Sequence, residues 1–430
     1  LGGSSTVNGT IWARGAREDY DSWAAMGNEG WAFDEIVPYF MRAERDLETP
    51  DGLHGREGPM RVERIDPRVL SPYSRALIES ALENGYPWTD DANDPDEGPS
   101  IGLTPCNIGH GIRWNTAIAY LNPARNRPNL DIVCNTLTDR VVFDGNRAAG
   151  IQTSEGDLFS GNEVILAAGA YGSPAILLRS GVGPSGHLEE IGIEVRRELP
   201  GVGSHLMDHP SILMAYRIRE DHLPASPLRI ARVETIMKAR SGQVSESYDL
   251  HIISHGNLYD DEGDCWTLVF RPYLEYSRST GTVRLTSTDP EAPLAIDHNY
   301  LDDGRDLEAL ADGAQIVHDL CRTPPLSEML AGALRPGADD HTGRDSLKAY
   351  ITANVTTTFH PACTCRMGPA TDATAVVDPH GRVHGLEGIR VCDASIFPYI
   401  PRANLNWPAI AAAERIADWI REERSITRSD

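Results

Sequence analysis

The short apolar run VILAA at Val164 to Ala168 limits the possible folds more than any other stretch of this chain. It is continuous rather than alternating and ends in small residues, as a strand buried on both faces of a parallel sheet does. A second strand of this kind, in GIRVCDAS at 388–395, arrives only after a long excursion. A sheet revisited so late predicts domains interleaved in sequence. The length of 430 residues also exceeds one typical core, so two domains are expected.

The excursion has a different texture. From residue 248 the segments YDLHIISHGN, WTLVFRPYLEY and GTVRLTST alternate, which predicts an antiparallel sheet with one covered face. Just before VILAA, the runs LDIVCN and DRVVFDGNRAAGIQTSEG read as strands, with Asp144-Gly145 as a hairpin turn. Helical patterns fall at 306–322, 344–352 and 408–424, and within 19–45 on the face Ile36, Tyr39, Phe40 and Ala43. The fold class is mixed α/β.

Two motifs look informative and are set aside on context. GVGPSG at 181–186 fits the G-x-G-x-x-G dinucleotide turn, but it follows a helix rather than a strand. Ser173 reads as that helix's N-cap, Pro174 as its first residue, and Gly181 as its C-terminal stop after Ile176, Leu177 and Leu178. Gly98, Ser100 and Gly102 satisfy the hydrolase pattern G-x-S-x-G. They lie in the acidic stretch TDDANDPDEGPSIG at 89–102, which reads as a solvated connection or lid edge rather than a strand leading into a nucleophile.

A net charge of -24 repels phosphate backbones and anionic membranes, so neither nucleic acid nor a lipid surface is an expected partner. No apolar run reaches the roughly 20 residues of a membrane span. The seven cysteines are odd in number and scattered, which suggests a reducing, cytoplasmic setting. The opening LGGSSTVNG has the composition of neither a signal peptide nor a disordered tail. It reads as the interior of a longer chain.

Chemistry concentrates in two places. In TTFHPACTCRMG at 357–368, His360, Cys363 and Cys365 could ligate a metal as H-x-x-C-x-C, form a redox pair, or supply His360 as a base near neutral pH. No partner C-x-x-C completes a zinc site, and no thioredoxin-like context surrounds the cysteines, which read as packing residues. In RVCDASIFPYIPRANLNWPAI at 390–410, a strand delivers Asp393, Ala394 and Ser395. A loop then presents Asn404, Asn406 and Trp407 before a helix opening at Pro408.

Five ordered stretches together resemble the glucose-methanol-choline oxidoreductase family. They are LGGSSTVNG, GAYGSPAILLRSGVG at 169–183, LPGVGSHLMDHP at 199–210, FHPACTCRMG at 359–368 and VVDPHGRVHGLEGIRVCDASIFP at 376–398. The resemblance implies a Rossmann-like FAD-binding domain interleaved with a substrate domain built on an antiparallel sheet. Its implied boundaries are 1–14, 129–212 and 370–430 for the FAD-binding domain, and 15–128 (with a lid) and 213–369 for the substrate domain. It implies flavin contacts at Gly3, Asn8 and Gly9, adenine contacts at Val141, and adenosine and diphosphate contacts at Ala168, Gly169 and Ala170. It implies diphosphate and ribityl contacts at Asp393 and Ala394, and pyrimidine contacts at Asn406 and Pro408.

By the same resemblance, His360 is the catalytic base and Asn404 the second active-site residue. The reaction would be oxidation of a primary or secondary alcohol by hydride transfer to flavin N5, with oxygen or a carrier as electron acceptor. Relatives with covalent flavin can carry histidine where this chain has Val7, so the FAD is expected to be noncovalent. The family's own G-x-G-x-x-G turn lies ahead of LGGSS and is not among these residues, so these 430 residues alone are expected to hold FAD weakly. A cyanohydrin-cleaving lyase and a truncated non-catalytic homologue are the alternatives.

Overall fold

A computed structural model describes residues 1–49, 52–223, 233–245, 247–337 and 343–426. Two large hydrophobic cores organise them, with a small third cluster around Ile11, Ile236 and Ile253. The first gathers Trp12 to Val62, Ala119 to Met207, and Ala362 to Ile416. The second gathers Tyr73 to Ile101 and Ile212 to Ile351. Residues 15–128, expected to form one piece, are thus divided between the two cores.

In the first core, strand Val164–Leu166 runs parallel to strand Ile389–Val391, with Val164 beside Ile389 and Leu166 beside Val391. The long excursion therefore does return to the same sheet. The turn at Asp144-Gly145 closes strands Thr138–Asp144 and Arg147–Thr153 as the sequence predicts. Residues 130–135, expected to be a strand, form none. Helix Phe33–Ala43 buries Ile36, Phe40 and Ala43 against the C-terminal helix Asn406–Ile426, while Tyr39 stays half-buried.

The helix after VILAA differs from expectation at its start. It spans Gly169–Arg179, so Pro174 lies inside it and Ser173 does not cap it. Ser173 Oγ instead accepts from Ala168 N at 3.0 Å and donates to Asp393 Oδ2 at 2.5 Å. The helix thus begins almost directly at the strand end, with one turn of small residues between. Its other end is as read, since Gly181 follows the cap with φ of 78° and donates its N–H to Leu178 O. Beyond it, helix Ser185–Glu190 opens on an amide already bonded to Glu198 Oε2 at 2.8 Å. The first amide of that helix is therefore already taken by a carboxylate.

The second core lies under an eight-stranded sheet. Its main path runs Leu330–Arg335, Met214–Ile218, Cys265–Leu274, Leu250–Asp260, Thr235–Ala239, Ser100–Leu103, and neighbouring strands are antiparallel. Alternation sorts its faces: Leu250 and Ile252 join the helices Pro72–Glu83, Gly304–Leu320 and Arg344–Asn354, while His251 and Ile253 point to the other side. The acidic stretch 89–102 is not merely solvated. Asn93 is buried, accepts Arg14 N, and donates to Trp12 O, and Ser100 begins a sheet strand rather than a nucleophile elbow.

A buried ion pair ties two distant segments of the first core together. Arg402 Nη1 lies 2.6 Å from Asp19 Oδ1, and Arg402 N donates to Asp19 Oδ2 at 3.0 Å. Gly15 is required beside this pair: its φ is 93°, and a Cβ there would sit 3.1 Å from Asp19 Oδ2. Removing one partner of a buried pair leaves the other charge uncompensated. Asp19→Ala is expected to destabilise the protein toward the lower end of about 3–5 kcal/mol, because Glu18 also reaches Arg402. Urea denaturation at neutral pH measures it.

His54 sits between Glu44 and Asp91, each at 3.0 Å. Burial would lower its pKa, but the hydrogen bonds to Asp91 and Glu44 outweigh that and raise it to about 9 from 6.5. A raised histidine pKa stabilises fully below the unfolded value and is lost as pH climbs through the folded one. The stability difference between the wild type and His54→Gln is therefore expected to shrink as pH rises from 6.5 through 9, read from denaturation midpoints across that window.

Candidate active site

His360 is brought to its place by a backbone seam. Cys363 N donates to Ala394 O, Cys365 N to Ser395 O and Met367 N to Ile396 O, pinning the histidine segment along the 393–396 turn. Thr364 Oγ1 adds a bond to Ala170 O at 2.6 Å. Cys363 and Cys365 are fully buried in the first core, and burial pushes both thiols up. They are neither thiolates nor poised for exchange.

On the other side, Asp208 fixes the loop. Its Oδ1 accepts His209 N at 2.8 Å and His360 N at 3.0 Å, and its Oδ2 accepts Tyr300 OH at 2.6 Å and Thr357 Oγ1 at 2.5 Å. Four donors converge on one buried carboxylate.

The imidazole then meets three groups. Asn404 Nδ2 donates to His360 Nε2 at 3.0 Å, while Nδ1 lies 3.0 Å from Thr358 Oγ1 and 2.9 Å from His209 Nδ1. Thr358 spends its own hydrogen on His209 O, so its oxygen is left to accept. These partners assign the Nδ1–H tautomer, with the Nε2 lone pair directed at Asn404. Burial and the neighbouring His209 lower the His360 pKa to about 4, against the pull of Glu275 and Asp208. At neutral pH it is an uncharged base.

The sequence reading brought His360 and Asn404 forward and missed Asp208, His209, Thr358, Glu275 and His251. Asp208 and His209 lie within LPGVGSHLMDHP, and Glu275 directly follows strand Cys265–Leu274, which carries a charge of its own at Arg271.

Several positions that the resemblance assigns to the flavin are open. A Cβ added at Gly3, Gly9 or Gly169 would meet no atom within 4 Å. Val7 and Phe359 are 82% and 80% exposed, and Ala167 and Ala168 at the parallel strand's end are also exposed. Asn404 Oδ1 and Asn406 Nδ2 are buried without partners, an acceptor and a donor that a ligand would satisfy. FAD fits this combination of open glycines, bare apolar surface and orphaned amides.

The other expected contacts vary in availability. Asn8 Oδ1 already accepts Thr10 N and Arg113 Nη1. Val141 is buried in its hairpin with its N–H bonded to Ser180 Oγ. The Asp393 carboxylate is occupied by Gly169 N, Ser173 Oγ and Ser395 N, so it acts within the protein. Ala170 and Pro408 are buried, and Ala394 is half-buried in the seam.

A dinucleotide-type strand, turn and helix joined to an antiparallel-sheet domain, with a neutral histidine where they meet, define a FAD-dependent oxidoreductase. The GMC oxidoreductase description matches residues 1–211 and 277–413, and the chain belongs to this glucose-methanol-choline family. It is 36% identical over 460 residues to an oxygen-dependent choline dehydrogenase of Burkholderia multivorans, spanning all of this chain and 80% of that protein. Against its counterpart in Paraburkholderia phymatum it is 37% identical over 462 residues, spanning all of this chain and 79% of the other.

Among solved structures, pyridoxine 4-oxidase from Mesorbium loti superposes with a TM-score of 0.90 at 27% identity, covering 97% of this chain and 83% of that one. A FAD-dependent oxidoreductase from Chaetomium thermophilum shares the fold, with a TM-score of 0.84 at 24% identity over 98% of this chain and 86% of the other. Among the described residues, no helix is long and apolar enough to cross a membrane.

Asp208→Ala leaves four donors without their acceptor, each costing about 1–3 kcal/mol when buried and unpaired. Hydrogen exchange by mass spectrometry is expected to speed up at the amides of His209 and His360 well before the sheet of the second core responds.

Proposed function

We propose that the protein oxidises a primary or secondary alcohol to an aldehyde or ketone, with His360 as general base and Asn404 orienting the substrate. The observation that carries this is the uncharged His360, whose Nε2 lone pair faces Asn404. Bound FAD supplies the hydride acceptor. His360 Nε2 takes the hydroxyl proton, and Asn404 Nδ2 hydrogen-bonds the developing alkoxide. Thr358 and Asp208 keep the ring and its backbone from turning away.

Resemblance to choline dehydrogenases supports a small, choline-like alcohol as substrate. Gly3, Asn8, Gly9, Val141, Ala168, Gly169, Ala170, Asp393, Ala394, Asn406 and Pro408 are assigned to the FAD site. Asp393 serves it by holding Gly169 and Ser395 in place. Val7, where covalent relatives can carry histidine, supports noncovalent FAD. All seven cysteines are free, which supports a reducing compartment such as the cytoplasm. The first core corresponds to the FAD-binding domain and the second to the substrate domain.

In the FAD-loaded protein, His360→Ala is expected to slow flavin reduction by an alcohol by about two to four orders of magnitude while FAD stays bound. Anaerobic stopped-flow bleaching across a panel of alcohols that includes choline measures this and identifies the substrate. Cleavage of a cyanohydrin with no bleaching by any alcohol would mark a lyase instead.

A further inference from the structure

Behind His360 lies a group of ionisable side chains that the proposed reaction does not yet use. Glu275 is fully buried, with a relative exposure of 0%. Its Oε2 lies 3.3 Å from His209 Nδ1, and its Oε1 lies 3.0 Å from His251 Nδ1. Both imidazoles are buried as well. Among the described residues, no lysine or arginine is within ion-pair distance of Glu275, and the titratable rings within that distance are those of His209 and His251.

A buried carboxylate with no permanent cation beside it is an expensive feature to keep for stability alone. It also sits on a contiguous path to the catalytic nitrogen, because His209 Nδ1 is 2.9 Å from His360 Nδ1. Two imidazole Nδ1 atoms at that separation can share one hydrogen but cannot both carry one. His360 Nδ1–H is therefore directed at a bare His209 Nδ1, with Thr358 Oγ1 as its second acceptor.

We propose that His209 and Glu275 form a proton relay behind His360, an inference that rests on His360 being the base. The alcohol's hydroxyl bond breaks, and its proton forms a new bond at His360 Nε2. The Nδ1–H bond of His360 breaks in turn, and that proton binds His209 Nδ1. His360 ends neutral in its other tautomer, His209 ends as an imidazolium, and Glu275 remains a carboxylate throughout. No electron moves along this path. The positive charge is thereby carried away from the substrate to a site whose negative charge is already in place and needs no reorganisation.

Besides His209, the ionisable groups facing Glu275 and His360 are His251 and Asp208, with Tyr248 stacked on His251 and Tyr273 next to Glu275 on the sheet. Asp208 is committed to its four donors. Tyr248 donates to Arg402 O at 3.0 Å.

The test compares wild type, Glu275→Gln, Glu275→Asp and His360→Ala in the FAD-loaded protein, following anaerobic flavin reduction against pH. Glutamine keeps the shape and removes the charge that favours an imidazolium. Glu275→Gln is expected to lower the plateau rate about 10–100-fold, in the range seen for partners that tune a catalytic ligand from behind. It should also shift the acid limb of the rate profile to lower pH. Glu275→Asp, which restores the charge, should return the limb toward its wild-type position. Histidine 15N spectra, which do not depend on turnover, should show His209 and His360 titrating together in wild type and separately in Glu275→Gln.

An acid limb that stays in place in Glu275→Gln, with the two histidines still coupled, overturns the relay while leaving the base assignment standing. Unimpaired reduction in His360→Ala overturns the base assignment, and the relay with it. A lower plateau with an unmoved limb means that Glu275 is only structural, and it also overturns the relay.

Discussion

The Asp208 carboxylate is the interaction on which the site depends. It accepts donors from two segments, His209 N on one and Thr357 Oγ1 and His360 N on the other, and Tyr300 OH from a third. An ionised acceptor forms stronger hydrogen bonds than a neutral one, and burial strengthens them further. The segments it joins pair as strands Pro210–Ser211 and Thr356–Thr357, so the carboxylate finishes what the ladder begins. Without it, His360 would sit on a loop held from one side only. With it, the imidazole is fixed between the seam at 393–396 and the sheet.

The same strategy recurs at two other buried places in the fold. Asp19 with Arg402, and Glu44 and Asp91 with His54, are charged groups withdrawn from water and compensated by specific partners. Each is costly to desolvate and costly to break, so each contributes more to register than to net stability. Arg402 lies two residues before Asn404, and its guanidinium also stacks over Tyr276 at 4.4 Å. The loop that carries Asn404 is therefore set by a buried ion pair rather than by its own turn chemistry. Trp407, just beyond it, stacks on Trp12 with ring centroids 4.9 Å apart. Loops that carry function are here placed by rigid neighbours.

Much of the architecture was legible residue by residue. The Asp144-Gly145 hairpin, the strands from Leu250 and Cys265, and the Gly304–Leu320 helix all follow from local pattern, but the sheet is covered on both faces where the sequence predicts one, Thr235–Ala239 being buried throughout. The misreadings share a cause. Ser173 and Pro174 look like a helix start, yet the helix begins at Gly169, because Asp393 caps the Gly169 amide from 224 residues away. LDIVCN has the composition of a strand but forms no ladder here. The stretch 89–102 is acidic enough to look solvated, but Asn93 is drawn inside by the backbone of Trp12 and Arg14.

The sequence by itself determined the class of fold and the interleaving, since periodicity and ordered motifs are local properties, and it brought His360 and Asn404 forward as candidates. It could not determine that the His360 imidazole is uncharged, nor that His209 and Glu275 stand behind it. Those depend on distances between segments that no spacing encodes. A histidine's charge and tautomer are set by the groups it faces and by the water removed around it. Only the folding of the sheet against the 393–406 loop brings Glu275, His209, His360 and Asn404 into one line.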